Sequence, residues 1–320
     1  MNKKIITLLV ITTMLFWAVN FHMAKIALEY YSPMAVAAIR FFFGVLVLFP
    51  IMWVQYKSPK LPAKFSKKDW WNIFLTGFFG FFLTIYFFNK GLTTTSAINS
   101  SLIIATSTII TAMLAFFLMG KKLVKLQWLA ILISFFGVAI ILVKGDLAQL
   151  LNLKIAEGDF YILMMAIVFS ISQIIIEKNL SHVDSIVTTS FASLIALVLF
   201  VISSLPELVS TEVPTDFEFW GSILFMGILG TGVAYAFFYK GVVVLGATKS
   251  SLYMNLIPLF TVLTAFPFGE IVTPIQLVGG GVIIFGLLIF GWSRRKKTAA
   301  ISKEKSLVVL AERKQTDEMV

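Results

Sequence analysis

The chain has 320 residues, of which 59% are hydrophobic and only 13% are charged, whereas a soluble domain carries about 25% charged residues. With a mean hydropathy of +0.94 and apolar residues in long blocks, this composition excludes a soluble globular protein and predicts an all-α integral membrane protein. The chain contains no cysteine, which excludes disulfides and thiolate sites, and its net charge of +10 comes from loop and tail lysines rather than from a nucleic-acid surface.

The first apolar block follows Lys3 and Lys4 and continues to about Ala24 without a small-residue cleavage site. We therefore expect a retained first span rather than a cleaved signal peptide. Similar blocks follow, separated by short connections that contain the charges and most of the prolines. Ten transmembrane helices are predicted, at residues 5–25, 34–56, 70–90, 97–119, 124–144, 158–178, 184–204, 218–240, 246–268 and 274–292. A basic tail, residues 293–320, follows.

Lysine and arginine are concentrated in every second connection, which predicts the orientation of the chain. The basic set comprises Lys3, Lys4, Lys57, Lys60, Lys64, Lys67, Lys68, Lys121, Lys122, Lys125, Lys240, Lys249 and the run 294–297. The other set includes an acidic connection with Glu207, Glu212, Asp216 and Glu218. Basic loops stay in the cytoplasm, so both termini are expected there, in a multi-pass protein of the cell membrane.

The two halves of the chain, residues 1–145 and 156–292, resemble each other. Lys90-Gly91 recurs 150 residues later as Lys240-Gly241. At the same offset Trp70 pairs with Trp220, Gly77 with Gly227, Gly80 with Gly230, Ala97 with Ala247 and Ser100-Ser101-Leu102 with Ser250-Ser251-Leu252. Because each half holds an odd number of predicted spans, the second half must insert in the opposite direction. The expected architecture is thus two inverted five-helix repeats, which suits alternating access but also occurs in channels.

Several short motifs follow one another in a fixed order along the two halves. They are Phe16-Trp17-Ala18-Val19-Asn20-Phe21, Lys25, Ser32-Pro33, Arg40, Gly158-Asp159, Phe169-Ser170, Ala234-Tyr235, Gly246-Ala247, Leu256-Ile257-Pro258 and Phe268-Gly269-Glu270. In this order they resemble EamA-type transporters of the drug/metabolite transporter superfamily over about residues 5–292. The resemblance implies ten helices, cytoplasmic termini and transport of small metabolites such as amino acids.

The first half departs from this pattern at two places. Thr108 stands where a proline equivalent to Pro258 is expected, and Gly120-Lys121 stands where the counterpart of Gly269-Glu270 is expected. Any role of the acidic position is therefore supported in the second half alone.

Arg40 is the most informative charge. It lies about seven residues beyond Pro33, which places it roughly 10 Å into the second predicted span. A charge at that depth marks a cavity or an ion path by default, and arginine binds carboxylates through two parallel hydrogen bonds. The alternative is a structural arginine that reaches the interface or binds helix-end carbonyls.

Other polar and aromatic residues interrupt the apolar spans. An amide without a partner is unfavourable in lipid, so these side chains should face the bundle interior. There they could line a substrate pathway, bond helix to helix, or belong to interfacial aromatic belts. With Arg40, the candidate pathway consists of Trp17, Asn20, Tyr86, Asn89, Asn99, Gln173, Tyr235, Tyr239, Tyr253 and Asn255.

Three residues are candidates for coupling or gating. Glu177 and His22 could carry protons, because burial raises the pKa of a carboxyl group and histidine titrates near physiological pH. The alternatives are a glutamate that faces the cytoplasm beside Lys178 and a hydrated histidine near a helix end. Pro258 predicts a kink in the ninth span that acts as a gate or is passive.

No enzyme motif, phosphate-binding loop or metal-ligand spacing is present in the sequence, so neither catalysis nor a cofactor or metal is expected. The expected function is secondary transport, with efflux as the expected direction, of an amino acid or a similar amphipathic metabolite by alternating access. The expected partners are this small molecule and the lipid bilayer, and the sequence does not specify the oligomeric state. The alternatives are a sugar- or phosphate-metabolite exchanger of the same superfamily, a channel, or a membrane scaffold.

Overall fold

The structure is a computed structural model that describes residues 2–56, 65–121, 124–142, 156–286, 288–290 and 292–293. The basic tail from residue 294 onward, including its predicted cytoplasmic position, lies outside these residues. The described part is helical and contains no strand. Its helices are α1 (Lys3–Ala27), α2 (Pro33–Tyr56), α3 (Lys67–Leu92), α4 (Ala97–Met119), α5 (Lys125–Leu142), α6 (Glu157–Asn179), α7 (Ser185–Ser210), α8 (Phe217–Leu245), α9 (Ala247–Tyr253), α10 (Leu256–Thr264) and α11 (Pro274–Phe290).

Seven of these helices, α1–α4 and α6–α8, are long and apolar enough to cross a membrane. The outer faces of these seven helices, and of α5 and α11, expose large apolar side chains, which lipid tolerates and water does not. The exposed residues include Phe42, Leu46, Trp53, Phe117, Leu132, Phe136, Ile202, Leu277 and Leu288. The all-α membrane protein is thus confirmed, while the ten spans and their inverted insertion stay predictions.

Two of the spans contain wide, π-type turns. They occupy Thr76–Leu83 in α3 and Phe225–Val233 in α8, at matching places in the two halves. A wide turn shifts the hydrogen-bond ladder and turns backbone carbonyls toward new partners, which is why such turns often occur at functional sites. In α8 this brings the Gly230 carbonyl to a side chain of α1, as described below.

Two helical segments, α4 and the stretch formed by α9 and α10, are interrupted near their centres. Between α9 and α10 the chain turns at Met254 and Asn255, and the Ile257 N–H bonds to the Met254 carbonyl at 2.9 Å. Pro258 follows in the first turn of α10, where its missing N–H leaves the regular bond to that carbonyl unmade. Pro258 therefore lies at the predicted kink.

The corresponding interruption of α4, at Thr106, contains no proline. Instead the Thr106 hydroxyl donates to the Ile103 carbonyl at 2.7 Å, which competes with the helical ladder. The Thr108 hydroxyl lies 2.7 Å from the Ser251 carbonyl and 3.0 Å from the Asn255 amide oxygen, so it joins the two interruptions. The helix break thus recurs in both halves, although the sequence signals it by proline in one half only.

The helices of the two halves interleave rather than forming two separate bundles. In the described part, α1 packs on α8 and α10, α2 packs on α7 and α8, and α3 and α4 pack on α6. A smaller apolar cluster ties α4, α5 and α11 together through residues such as Ile109, Ile131 and Ile283. A site between the halves is therefore built by residues from both.

Candidate functional site

A cavity at the centre of the interleaved helices contains about 380 Å³ of space that no atoms occupy, part of which is open to solvent. Its wall combines a cation, an amide, aromatic rings and aliphatic side chains. The lining residues are Trp17, Asn20, Phe21, Arg40, Ile85, Phe88, Ile104, Met165, Phe169, Tyr235, Met254 and Ile257. These residues come from α1, α2, α3, α4, α6, α8 and α10 and from the turn between α9 and α10. Four of the predicted pathway residues, Trp17, Asn20, Arg40 and Tyr235, line the cavity.

Arg40 is fully buried in this wall, with 1% of its surface exposed. Its Nε donates to the Thr231 hydroxyl at 2.7 Å. The Asn20 amide oxygen must face the guanidinium, because the opposite orientation would bring donors against donors; it then accepts from both Nη atoms at 3.1 Å. No carboxylate among the described residues pairs with Arg40. The positive charge is held by neutral partners alone.

Trp17 fixes the aromatic side of the cavity. Its indole N–H donates to the Gly230 carbonyl at 3.1 Å, within the wide turns of α8. Its ring meets Phe169 and Tyr235 edge to face, with centroids 5.7 and 5.2 Å apart. Edge-to-face pairs of this kind stabilise a defined ring geometry. The cavity therefore has a cationic end and a rigid aromatic wall.

The remaining predicted pathway residues do not line the cavity, and several of them bond to neighbouring helices. Asn89 donates to the Pro33 carbonyl at 2.9 Å, Gln276 donates to the Asn99 amide oxygen at 2.8 Å, and the Ser251 hydroxyl donates to Gln173 at 2.8 Å. Tyr239, Tyr86, Tyr253 and Asn255 also lie outside the lining, and Asn255 pairs with Thr108. These positions favour helix-to-helix bonding for this group.

Buried polar atoms without partners occur among the described residues close to this group. They include Asn89 Oδ1 and Gln173 Nε2. An unpaired buried polar atom is unfavourable. Such atoms mark places where a polar group between helices lacks a hydrogen-bond partner.

His22 is buried away from the cavity wall. Its Nε2 lies 3.2 Å from the Thr261 carbonyl, and its ring stacks on Phe268 with centroids 4.6 Å apart. The predicted hydrated position at a helix end therefore does not describe this histidine, because it is 2% exposed. It joins α1 to the end of α10.

Glu177 lies at the end of α6 and belongs to a compact cluster, here called the Glu177 cluster, with Lys121 and Ala247. It forms an ion pair with Lys121 and accepts the N–H of Ala247, the first residue of α9, at 3.1 Å. A carboxylate at a helix N-terminus is favourable because it meets free N–H groups and the positive end of the helix dipole.

A second cluster has the same plan with its charges exchanged. In this Glu270 cluster, Glu270 pairs with Lys25 at 3.3 Å and accepts the N–H groups of Ala97 and Ile98, at the start of α4, at 3.0 and 3.3 Å. The sequence did not single out Glu270 as a site residue, because its counterpart in the first half is Lys121.

The two clusters lie at opposite ends of the bundle. Glu270 binds the first residue of α4, whereas Lys121 follows its last turn, and a helix of this length spans about 34 Å. Gly120 and Gly269 precede the two charged residues and have φ values of +65° and +69°. This left-handed conformation, which glycine adopts freely, turns the chain so that Lys121 and Glu270 meet their partners.

Thr231 and Gly230, which hold Arg40 and Trp17, are also residues that the sequence did not identify. Threonine is common in membrane helices and carries no signal by itself. The paired glycines of the repeat indicate close helix packing and no more, and the wide turn that exposes the Gly230 carbonyl has no sequence marker.

Residues 4–143 and 156–292 match the EamA-like transporter family. The uncharacterized transporter YyaM of Bacillus subtilis strain 168 is 27% identical over 279 residues, covering 86% of this chain and 89% of that protein. An uncharacterized transporter of Archaeoglobus fulgidus is 27% identical over 290 residues, covering 90% and 98% of the two chains. A crystal structure with 17% identity aligns over 92% of this chain and 99% of its own with a TM-score of 0.62, which supports the fold alone.

Proposed function

Since the chain belongs to the EamA-like transporter family and is a membrane transporter, we propose that it moves an amino acid or a similarly small amphipathic metabolite across the cytoplasmic membrane by alternating access. The proposed direction is efflux. The observation that carries this proposal is the central cavity, whose cationic end and aromatic wall are contributed by helices of both halves. Sites of this kind, between two repeats, are where carriers hold their substrates.

The two charged clusters support alternating access. Each joins segments that are distant in sequence at one end of the bundle, and the cavity lies among the helices between them. We assign the Glu270 cluster and the Glu177 cluster to opposite gates. Opening one gate while the other stays closed would expose the cavity to one side at a time. In this scheme Glu177 acts through its ion pair, and proton coupling through Glu177 or His22 remains a separate hypothesis.

The inverted topology is part of the same proposal. It is supported by the wide turns in α3 and α8 and by the breaks in α4 and before α10, which recur at matching positions of the two halves. We propose ten spans, with both termini in the cytoplasm.

The alternatives make different demands on the cavity. An exchanger of sugar phosphates or other phosphate metabolites would need several fixed cations, whereas Arg40 is the one cation among the described lining residues. A channel would give flux without stimulation by substrate on the opposite side. A scaffold would tolerate any change to the cavity without loss of flux.

Transport into proteoliposomes tests the proposal. Purified protein is reconstituted, and uptake of labelled amino acids and small organic acids is measured with and without a pH gradient. At least one compound is expected to move, with stimulation by unlabelled compound on the opposite side. Arg40→Ala is expected to lower this flux at least tenfold, because it removes the buried cation.

The matched control is Leu46→Ala, on the same helix but 53% exposed on the lipid-facing surface. It should transport within about twofold of the parent. No movement of any compound would contradict the metabolite carrier, and a folded Arg40→Ala protein with normal flux would remove Arg40 from the pathway.

A further inference from the structure

We propose that the cavity is an anion site, and that the transported metabolite enters it as a monocarboxylate whose apolar body lies against the aromatic wall. This proposal rests on the transport function proposed above and narrows its substrate class. It starts from the charge balance of the cavity.

Arg40 has more hydrogen-bonding capacity than its protein partners use. A guanidinium carries five N–H donors in a planar fork. Thr231 takes the Nε–H, and the Asn20 amide oxygen takes at most one N–H from each Nη. The other Nη–H groups have no protein acceptor in the described part of the chain, and Arg40 lines the cavity. A carboxylate in the cavity would supply the missing acceptors.

The cavity also lacks a counter-charge. None of its described lining residues is an aspartate or a glutamate. A buried cation without an anion is unfavourable, and a ligand anion is the remaining source of compensation. One cation balances one negative charge, which favours a monocarboxylate over a phosphate ester. The same lack of an acidic residue leaves the ammonium group of an amino acid without an ionic partner.

The rest of the wall selects the body of the ligand. Phe88, Phe169 and Tyr235 present rings, and Ile104 and Met254 present aliphatic surface. Apolar walls with a few placed polar groups are the usual form of a small-molecule site.

Thr231 and Asn20 act as positioning residues for the guanidinium. They hold it from two sides, on α8 and α1, so the guanidinium keeps a fixed orientation. A lysine at position 40 would retain the charge, but its ammonium offers three donors instead of five and could not bind Thr231, Asn20 and a ligand in the same planar arrangement. The proposal therefore predicts a graded response to substitution.

The test uses three ligands with one carbon skeleton. Binding of 3-phenylpropanoate, its neutral amide 3-phenylpropanamide, and phenylalanine to the full-length protein in detergent is measured by titration calorimetry. The carboxylate is expected to bind roughly tenfold or more tightly than the amide, as a charge-assisted hydrogen bond predicts, and more tightly than phenylalanine. Equal affinities of carboxylate and amide, or no binding of the carboxylate, would overturn the proposal.

Variants assign the preference to Arg40. Arg40→Gln should reduce the carboxylate-to-amide ratio to about one, and Arg40→Lys should leave it intermediate. If Arg40→Gln fails to fold, Thr231→Val is measured instead. This variant keeps the charge of Arg40 but removes the hydroxyl that accepts from Nε, and it should lower the carboxylate-to-amide ratio severalfold. A carboxylate-to-amide ratio that is unchanged in both Thr231→Val and Arg40→Lys would contradict the role of the guanidinium in binding the carboxylate.

The binding experiment tests the anion site, and the flux experiment tests the transport function, so the two proposals can fail separately. Carboxylate preference without flux would contradict the transport function and retain the anion site. Flux of neutral or zwitterionic compounds with no carboxylate preference would retain the carrier and contradict the anion site.

Discussion

Position 230 shows how much of the cavity depends on one missing side chain. The Gly230 carbonyl accepts the Trp17 indole N–H, and its Cα faces Asn20, which in turn holds Arg40. A Cβ at this position would lie 2.6 Å from the Asn20 amide group, closer than van der Waals contact allows. Glycine thus lets α1 and α8 approach closely enough for the Arg40 partner to reach its place.

Gly230→Ala is therefore expected to displace Asn20 from Arg40. Because the neighbour that must move is the end of a side chain, the protein should still fold, with a loss of about 1–3 kcal/mol in the free energy of unfolding. Transport should fall about tenfold or more, since the guanidinium loses an acceptor. The measurements are proteoliposome flux and thermal unfolding in detergent.

Gly221→Ala is the matched control on the same helix, because a Cβ there meets nothing within 4 Å. It should leave both quantities nearly unchanged. If the two variants behave alike, the contact between positions 230 and 20 does not organise the cavity.

Single residues in apolar surroundings were the most predictable part of the site. Trp17, Asn20, Arg40 and Tyr235 stand out because polar or aromatic groups in a membrane span need an interior position, and all four line the cavity. Gln173 and Asn99 give the same sequence signal but bond to neighbouring helices. Polarity predicts that a residue faces inward, and only the packing decides whether it faces a cavity or a helix.

At the scale of elements, the two charged clusters keep the same arrangement, although the acidic and the basic residue have exchanged places. Where the second half has Glu270, the first half has Lys121, and each finds a partner of opposite charge at the end of a neighbouring helix. The departure from the family pattern at Gly120-Lys121 is therefore compensated by Glu177. Each pair also places a carboxylate at the N-terminus of a broken helix.

Glu177→Gln and Glu270→Gln are expected to open opposite gates. Glutamine still accepts the helix N–H but removes the ion pair, which contributes about 1 kcal/mol at a partly exposed position and shifts the gate population severalfold. A cysteine introduced as Met254→Cys, in a chain without native cysteine, reports access to the cavity through labelling by a membrane-impermeant maleimide.

Each substitution should raise the labelling rate from its own face of the membrane and not from the other. Glu29→Gln, at an exposed residue just beyond α1, serves as the control and should change neither rate. Labelling that rises from the same face in both variants, or in neither, would contradict the assignment of the clusters to gates.

Most helix ends were predictable to within a few residues, because hydrocarbon thickness fixes the length of an apolar block. The exceptions are α7 and α8, which continue six and five residues beyond their predicted ends. The breaks and wide turns within the helices were less predictable. Pro258 marked one break, whereas the break at Thr106 involves a hydroxyl that bonds within its own helix, and the wide turns of α3 and α8 contain glycines packed against other helices. Such contacts have no periodic signature in the sequence.

At the scale of the whole molecule, interleaving of the halves places the cavity between them. Arg40 from α2 is held by α1 and α8, so the cavity belongs to neither half alone. The repeat was visible in the sequence as matched glycine, lysine and serine residues. Its insertion in opposite directions is the link between this repeat and the architecture, and it follows from counting spans.

Labelling of one cysteine at a time at two repeat-related positions tests that link most directly. Lys67 and Phe217 are the exposed first residues of α3 and α8, the helices with matching wide turns, and they lie 150 residues apart. In oriented vesicles, Lys67→Cys is expected to react with impermeant maleimide only from the cytoplasmic face and Phe217→Cys only from the opposite face. Reaction of both from one face would mean that the halves insert in parallel, and would contradict an inverted pair enclosing the Arg40 cavity.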